Sequence, residues 1–274
     1  MKSQKNLTRF TYETTAFQRL HLCLNRSGSA VINRASVFAT SCVICFLAST
    51  SEAESVTLNL DAIEDTTIYS ENVDNNGGGH AFSIAGLANN GNERRALVRF
   101  DFSGIAPGSI INSATLNLSV LQIGNIGGNF ELFRVDTDWS EGNKVGNQGA
   151  LATAGEATWN SAEFGSVDWA TPGGSFFSTL LDGVDITSTG VSSFNSTVNF
   201  TAAIQAAVDD PTLNFGFLIT SSDSDPGSAI RIGSREGGSA ATLELDITAV
   251  PEPSGISLLA LSLAGLCVRR SRRY

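Results

Sequence analysis

Four aromatic side chains are the residues of this 274-residue chain that most suggest ligand binding. Trp139, Trp159 and Trp169 share one segment, and Tyr69 lies upstream of them. An aromatic face can stack on the apolar face of a pyranose ring, so these four are candidate glycan-stacking residues. Large aromatic side chains also pin long loops onto a core. For the tryptophans we favour the pinning role, and for Tyr69 both interpretations stay open.

Acidic residues in two places suggest a cation site. Asp223 and Asp225 stand at alternate positions before a turn glycine, which is a fragment of a calcium loop. An EF-hand would need Glu at position 12 of that loop, where Ser234 stands. The second group is Asp61, Glu64, Asp65, Asp74 and Asn76, near a loop. The candidate ligands of a structural Ca²⁺ are therefore Asp61, Asp65, Asp74, Asp223 and Asp225. The alternative is that they are solvated loop acids.

No catalytic constellation stands out in the sequence. A polysaccharide lyase would need Tyr, His, Lys or Arg on one face, and the central region offers Tyr69, His80, Lys144 and a few arginines. Carboxylates are plentiful, but nothing singles out the pair that a glycosidase needs. A Ser-His-Asp triad would depend on His80, beside a glycine run. We therefore predict a protein that is not an enzyme.

Four arginines have two possible roles. Arg94, Arg95, Arg99 and Arg235 either pair with nearby acids or line a groove for an acidic sugar. Between residues 54 and 253 there are 25 Asp and Glu against 7 Lys and Arg, so internal pairing is favoured. An acidic surface also excludes nucleic acid as a partner, because binding the phosphate backbone needs positive charge.

Cysteine and histidine are nearly absent from the centre of the chain. Cys23, Cys42, Cys45 and Cys267 all lie near the ends, and His80 is the one histidine between residues 54 and 249. That region therefore has no disulfide, no thiolate metal site and no zinc site built from several imidazoles. The only cofactor that the sequence suggests is a structural Ca²⁺.

Apolar alternation predicts strands throughout the centre of the chain. Residues 95–102 alternate around Ala96, Val98 and Phe100, and residues 113–120 repeat the pattern after Pro107. Further strands are predicted at 56–61, 66–70, 82–87, 130–135, 215–219, 230–232 and 243–247. The segment 136–185 is predicted to be mostly loop, and 201–208 is the one predicted helix. With no alternation of strands and helices, we predict an all-β, antiparallel two-sheet sandwich of the jelly-roll kind.

The two ends look like targeting segments. The apolar run Val37–Leu47 is too short to span a membrane, and small residues up to Ala53 fit a secretory signal cut between Ala53 and Glu54. At the other end, a Pro-x-Pro element precedes the apolar residues 256–268, predicted to form a transmembrane helix, and an arginine-rich terminus. The predicted domains are a signal peptide with a basic leader (1–53), a β-sandwich (54–249) and a sorting segment (250–274).

The C-terminal residues resemble the PEP-CTERM sorting signal of bacteria. The matching positions are Val250, Pro251, Glu252, Pro253, Ser254, Arg269, Arg270, Arg272 and Arg273. The resemblance implies export, a transient anchor in the inner membrane, and release of the tail by an exosortase at the cell surface or in the extracellular matrix. Signal peptidase would be the other partner during export.

An ordered set of short motifs runs through the centre of the chain. The motifs are Asp65-Thr66-Thr67-Ile68, the Asn/Gly loop at 75–79, Leu97–Asp101, Ala114–Leu118, Trp139-Ser140-Glu141, Ala157–Asn160, Trp169–Gly174 and Ser234-Arg235-Glu236. In this order they resemble DNRLRE-type domains, which are similar to carbohydrate-binding jelly rolls. The resemblance spans roughly residues 56–248 and implies a β-sandwich. Some relatives bind polysaccharide or accompany enzymes that degrade it.

Three functions follow from these observations. The first hypothesis is an exported structural or adhesive protein without catalytic activity. The second is a polysaccharide-binding module, and the third is a polysaccharide lyase or glycosidase. Exposed aromatic residues in a groove would favour the second, and buried ones would favour the first.

Overall fold

The structure is a computed structural model, and it describes residues 54–249. The signal segment, Ala53 and the sorting segment 250–274 lie outside the described residues. The strands are β1 (Ser55–Tyr69), β2 (Asn75–Asn76), β3 (Phe82–Leu87), β4 (Glu93–Phe100), β5 (Ile110–Ile123), β6 (Gly128–Arg134), β7 (Ala150–Leu151), β8 (Ser161–Glu163), β9 (Val167–Asp168), β10 (Asp182–Ile186), β11 (Gly190–Phe194), β12 (Phe217–Ser221), β13 (Ile230–Gly233) and β14 (Thr242–Thr248). The helix α1 spans Val198–Asp209, and a 3₁₀ turn spans Pro211–Leu213.

The strands form two antiparallel sheets. In sheet I, β13 and β14 pair with successive stretches of β5, and β11 pairs with the other edge of β5. The first half of β1 pairs with β14, and β3 pairs with β13. Sheet II runs from the second half of β1 through β4, β12 and β6 to β10. The prediction of an all-β antiparallel fold is confirmed.

The main core lies between the two sheets. Sheet II contributes Val98, Phe100 and Phe217, which alternate with outward-facing residues as the period of a strand requires. Sheet I contributes Leu116 and Leu245, both completely buried, and further alternating residues of the same strands. The strands predicted at 95–102 and 113–120 thus lie in opposite sheets and face one core.

Strand β1 belongs to both sheets. Two separate strands were predicted at 56–61 and 66–70, and the structure has one strand of 15 residues instead. A register shift between Ala62 and Glu64 re-aims the chain, so Ser55–Asp61 pair in sheet I and Ala62–Tyr69 pair in sheet II. A bulge interrupts the alternation of apolar residues, which is why the sequence pattern suggests a break.

The helix α1 closes one end of the core. The Thr197 hydroxyl caps its first turn by accepting a hydrogen bond from the Phe200 N–H at 3.0 Å. Phe200 and Ile204 are completely buried in the main core. The predicted helix is confirmed, and it begins earlier than predicted because the cap lies at Thr197.

The outer face of sheet II is covered by a second layer. The segment 136–181, called the loop layer below, packs on that face through a second apolar cluster. Its buried members are Ile68, Leu97, Phe133, Val135, Trp139, Ala157, Ala162, Trp169 and Leu218. The prediction that residues 136–185 are mostly loop holds: the range contains the short strands β7, β8 and β9, and β10 begins at Asp182.

One predicted strand position is wrong. Phe215 was expected to share a face with Phe217 and Ile219, but β12 begins at Phe217 and Phe215 packs on the loop-layer side. Gly216 separates them with a φ of +78°, a left-handed conformation that suits glycine.

Within residues 54–249 no helix is both long and apolar enough to cross a bilayer.

Candidate functional site

Three of the short motifs meet in space at one group of charged residues. Asp65 comes from β1, Glu141 from the loop layer, and Arg235 and Glu236 from the turn that follows β13. We call these four residues the carboxylate–arginine cluster. Asp65 is 5% exposed and Glu141 is 9% exposed, so two carboxylates of the cluster are buried.

The cluster is held by a closed set of hydrogen bonds. The main-chain N–H of Asp65 donates to Glu141 Oε1 at 2.8 Å, and the N–H of Arg235 donates to Asp65 Oδ2 at 2.8 Å. The Ser83 hydroxyl donates to Asp65 Oδ1 at 3.1 Å. The Arg235 guanidinium pairs with Glu141 at 2.5 Å and with Glu236 at 2.8 Å. Every carboxylate oxygen of Asp65 and Glu141 therefore already has a donor.

Burial dominates the ionisation of this cluster. It raises the pKa of Asp65 to about 6 and that of Glu141 to about 7 because it penalises the charged carboxylates. The hydrogen bonds described above and the charge of Arg235 oppose this rise. The pKa of Arg235 is raised, first by its hydrogen bond to Glu141. The arginine therefore stays charged, and the two acids titrate near neutral pH.

The Asn/Gly loop is tied to the same cluster. The buried side-chain amide of Asn76 lies within hydrogen-bonding distance of Thr66 Oγ1 at 3.1 Å, Glu141 O at 2.7 Å and Ala157 O at 2.8 Å. At Gly78 an added Cβ would lie 2.1 Å from the Glu141 carbonyl oxygen, so only glycine fits there. The motif residues of this loop therefore join β1 to the loop layer.

The structure brings together a different acidic group from the predicted one. Among residues 54–249 the carboxylates close enough to share a cation are Asp65, Glu141 and Glu236, whose oxygens lie within 4.8 Å of one another. Hard oxygen ligands of this kind would suit Ca²⁺. The guanidinium of Arg235 already supplies positive charge to Glu141 and Glu236, which weighs against a second cation.

The other predicted calcium ligands lie apart from this group. Asp61 and Asp74 are exposed, and neither joins Asp65 there. Asp223 instead accepts hydrogen bonds from Asn129, at 2.7 Å from its main-chain N–H, and Asp225 is exposed in a turn. The grouping of Asp61 and Asp74 with Asp65 is thus corrected, because the bulge in β1 turns Asp65 inward.

Two of the predicted stacking residues are buried indoles. Trp139 is 2% exposed and Trp169 is 5% exposed. Their Nε1–H groups donate to the carbonyl oxygens of Phe215 at 2.7 Å and Thr158 at 2.8 Å. A ring with no free face cannot stack on a sugar, so these two side chains pin the loop layer onto sheet II.

The other two predicted stacking residues are also engaged within the protein. Tyr69 is 1% exposed, and burial raises its pKa to about 12. Trp159 is partly exposed, but the Arg95 guanidinium lies 5.1 Å from its ring centroid. Tyr69 therefore cannot act as an open platform, and Trp159 offers at most part of its ring.

A polar and aromatic surface that the sequence analysis did not identify lies on the outer side of sheet I. The rings of His80 and Phe82 have centroids 3.9 Å apart, and the Arg231 guanidinium lies 4.3 Å from the Phe82 centroid. Arg231 also donates to the side chain of Asn147 at 3.2 Å. All three stacked side chains are partly exposed. We call His80, Phe82, Asn147 and Arg231 the stacked-arginine surface.

The stacked-arginine surface was hard to find from sequence. Its members are distant along the chain, and the pairing of β3 with β13 brings them together by placing Phe82 opposite Gly233 and Ile84 opposite Arg231. Burial and the charge of Arg231 lower the pKa of His80, so the imidazole is neutral at pH 7. A cation, an amide and a neutral imidazole thus line one exposed face.

The four arginines considered in the sequence analysis pair internally. Arg94 binds Glu71 at 2.5 Å, and Arg95 binds Glu93 at 2.7 Å. Arg99 bridges Glu64 and Asp138, and Arg235 belongs to the carboxylate–arginine cluster. Among the described residues, Arg134 and Arg231 are the arginines without a salt bridge, and each lies over a phenylalanine ring.

The geometry gives no support for catalysis at the titratable groups of residues 54–249. The pKa values of Glu64, Asp65 and Glu141 are raised, in each case mainly by burial. Asp65 and Glu141 are buried and fully hydrogen-bonded, and Glu64 pairs with Arg99 at 3.0 Å. The Nδ1 atom of His80 makes no hydrogen bond to any described residue. Lys144 pairs with Glu156 at 3.3 Å. The carboxylate–arginine cluster therefore has the character of a structural element.

Comparison with known families identifies two regions of the chain. Residues 56–162 match carbohydrate-binding module family 96, and residues 249–273 match the PEP-CTERM protein-sorting motif. No curated protein matches the chain. The first match includes strands of both sheets and part of the loop layer, and it is consistent with the DNRLRE-type resemblance. The chain carries a PEP-CTERM sorting motif, and its β-sandwich contains a region that matches a family of carbohydrate-binding modules.

Proposed function

We propose that this exported protein binds carbohydrate without transforming it. The observation that carries the proposal is the match of residues 56–162 to a carbohydrate-binding module family. The sorting motif at residues 249–273 indicates export and a place in the envelope or at the cell surface. Binding a polysaccharide outside the cell is consistent with both observations.

The stacked-arginine surface is the candidate binding face. Glycan hydroxyls need donors and acceptors held in place, and Arg231 is oriented by the Phe82 ring and by Asn147. The guanidinium is not neutralised by any described carboxylate. The outer face of sheet II is a poorer candidate, because the loop layer covers it.

The absence of catalysis is part of the same proposal. Asp65 and Glu141, whose pKa values are raised to about 6 and about 7, are buried, and each of their oxygens already accepts a hydrogen bond, so a sugar cannot reach them. The pKa of Glu64 is also raised by burial, and this carboxylate is paired with Arg99 at 3.0 Å. A carbohydrate-binding module is also a non-catalytic domain by definition. The earlier hypothesis of a lyase or glycosidase therefore has the weakest support.

A structural or adhesive role is the second candidate. The burial of Trp139, Trp169 and Tyr69 favours it, because these aromatic side chains stabilise the fold instead of facing a ligand. The two candidates are compatible, since an adhesive matrix protein can act by holding polysaccharide.

The route to the surface follows from the sorting motif. Signal peptidase would cut between Ala53 and Glu54, and an exosortase would act near Pro251-Glu252-Pro253. Between these steps the residues 256–268 would hold the protein in the inner membrane. The final location is the cell surface or the extracellular matrix.

A pair of matched variants tests the binding face. Arg231→Ala removes the cation over Phe82, and Arg134→Ala removes the comparable cation over Phe177, where the guanidinium lies 4.1 Å from the ring centroid. On a microarray of polysaccharides, Arg231→Ala should lose about tenfold or more in signal, as truncation of a central hot-spot residue does. Arg134→Ala should keep the wild-type signal. Equal loss in both variants, or in neither, would contradict this assignment.

A further inference from the structure

A shallow groove lies along the edge of the sandwich. Its lining residues differ from those of the stacked-arginine surface. It has a volume of about 390 Å³ and lies between the first half of β1 and the loop at residues 101–105. Leu58, Leu60 and Ile105 form its apolar floor, and no aromatic residue lines it. Asp61 and Asp101 stand at its rim.

The strand beside the groove has a free edge. Residues Ser55–Asp61 pair with β14 on one side, and on the other side they pair with no strand among residues 54–249. Val56 is 43% exposed, and Thr57 and Asn59 are exposed as well. An exposed strand edge has main-chain N–H and C=O groups that can pair with another extended chain.

The two carboxylates at the rim follow paired residues of β1 and β4, and neither has a described lysine or arginine as a partner. Ala62 of β1 pairs with Phe100 of β4, so Asp61 and Asp101 follow at the point where the two strands separate. Asp101 is held by the main-chain N–H of Ser103 at 2.8 Å and by its hydroxyl at 2.9 Å. Neither Asp61 nor Asp101 forms a salt bridge with a described lysine or arginine.

We propose that the free edge of β1 and the adjoining groove form a docking site for an extended basic segment of another protein, which adds a strand to sheet I. The apolar floor takes alternate apolar side chains of the added strand. The carboxylates of Asp61 and Asp101 pair with its lysine or arginine side chains. The seven residues Ser55–Asp61 give the site the length of an ordinary strand.

Charge distinguishes this occupant from a second copy of the same chain. The region 54–253 carries 25 acidic against 7 basic residues, so two copies repel each other. A self-paired edge would also bring the acidic rims of both copies close together. A glycan is less favoured because the floor is aliphatic and no aromatic ring is available for stacking.

A synthetic peptide tests the proposal on the exported, processed protein. The probe is an eight-residue peptide of alternating lysine and valine, measured by fluorescence anisotropy. Three companion peptides are used. The first has glutamate in place of lysine, and the second has alternate main-chain amides N-methylated. The third has the lysine–valine sequence with two prolines inserted. We expect the lysine–valine peptide to bind, and each companion to bind about tenfold or more weakly, through lost charge pairing or lost main-chain hydrogen bonds.

Protein variants then locate the peptide. Asp61→Asn and Asp101→Asn should each weaken binding by about two- to fivefold, the range of an exposed ion pair. In Asp101→Asn, the side-chain Oδ1 can still accept the hydrogen bond of the Ser103 main-chain N–H, and the side-chain amide can donate to the Ser103 hydroxyl oxygen, so the loop should keep its shape. Asp185→Asn removes the same charge from the exposed side of β10 and should leave binding unchanged. Unchanged melting temperatures show that the variants remain folded.

Four results would overturn the proposal. Equal weakening by Asp185→Asn would show general attraction to an acidic protein, and equal binding of the N-methylated peptide would exclude strand addition. A dimer of the wild-type protein that dissociates in Asp61→Asn would identify a second copy as the occupant. Loss of glycan binding in the Asp61 and Asp101 variants, with no peptide binding by the wild type, would make the groove a glycan site.

Discussion

At the scale of single residues, the carboxylate–arginine cluster explains why three of the short motifs occur together in this chain. Asp65, Glu141 and Arg235 are far apart in sequence, yet each satisfies hydrogen-bonding groups of another. Removing one partner of a buried charged network leaves an uncompensated polar group, which is strongly destabilising. These motif residues therefore join β1, the loop layer and the turn after β13.

The stability of the protein should depend on pH through this cluster. The folded pKa values of about 6 for Asp65 and about 7 for Glu141 lie above the ordinary values of 3.8 and 4.5. The folded state therefore holds these protons more tightly than the unfolded chain does. Their contribution to stability is fully present below about pH 4 and is lost as the pH rises through 6 and 7.

Glu141→Gln should reduce this pH dependence. The glutamine cannot titrate, so the fall in melting temperature between pH 5 and pH 8 should be smaller than in the wild type, by about 3–6 °C. The exposed Glu244→Gln variant serves as the control and should follow the wild-type curve. Parallel curves for Glu141→Gln and the wild type, measured by calorimetry, would contradict the pKa assignment.

At the scale of the elements, the loop layer determines the role of the buried tryptophans. A segment with little regular structure nevertheless covers the outer face of sheet II, because Trp139 and Trp169 insert into a second apolar cluster. Each indole N–H meets a main-chain carbonyl, so the polar end of the ring is satisfied on burial. The aromatic residues thus act as anchors of an element.

Truncation of an anchor should therefore destabilise the fold. Trp169→Ala should cost about 3–5 kcal/mol, the usual cost of removing a large buried side chain, and lower the melting temperature by roughly 10 °C. Trp139→Ala should behave in the same way. Val191→Ala, at a side chain that is 74% exposed, should leave the melting temperature nearly unchanged. A Trp169→Ala protein with wild-type stability in thermal unfolding would show that the ring is not a structural anchor.

Local sequence patterns predicted most strands and the helix. Contacts between segments that are distant in sequence determine which residues form the carboxylate–arginine cluster. Strands β5 and β14 alternate cleanly, so their buried residues could be read from the sequence. In β4 the alternation predicted Ala96, Val98 and Phe100, whereas Leu97 is buried on the other face by the loop layer. The continuous strand β1 was missed because a bulge interrupts its alternation. The grouping of Asp65 with Glu141 was missed because it depends on how the loop layer folds back, which no local period records.

At the scale of the whole molecule, the chain combines an acidic, cysteine-free sandwich with a C-terminal sorting motif that indicates export. The sorting motif and the carbohydrate-binding family match occupy different parts of the chain. A fold with no cysteine between residues 54 and 249 needs no disulfide chemistry outside the cell. Export and carbohydrate binding can therefore be tested separately.

Processing should leave a defined mature protein. Intact-mass analysis of the exported form should give Glu54 as its first residue and a C-terminus shortened near Pro251. Replacing Pro251-Glu252-Pro253 by alanines should retain the tail and hold the protein in the membrane fraction. A product that keeps Val37–Leu47 would contradict the predicted signal cleavage, and an unchanged mass and location of the alanine variant would contradict exosortase processing.

Carbohydrate binding without turnover is the central claim, and one titration tests it directly. The processed protein is titrated calorimetrically with purified polysaccharide from the surface of the cells that produce it, and the same solution is then assayed for new reducing ends and unsaturated products. We expect saturable binding that Arg231→Ala weakens and Arg134→Ala leaves intact, with no product released. A folded protein that gives no binding heat with any such polysaccharide, or one that releases products from it, would contradict the claim.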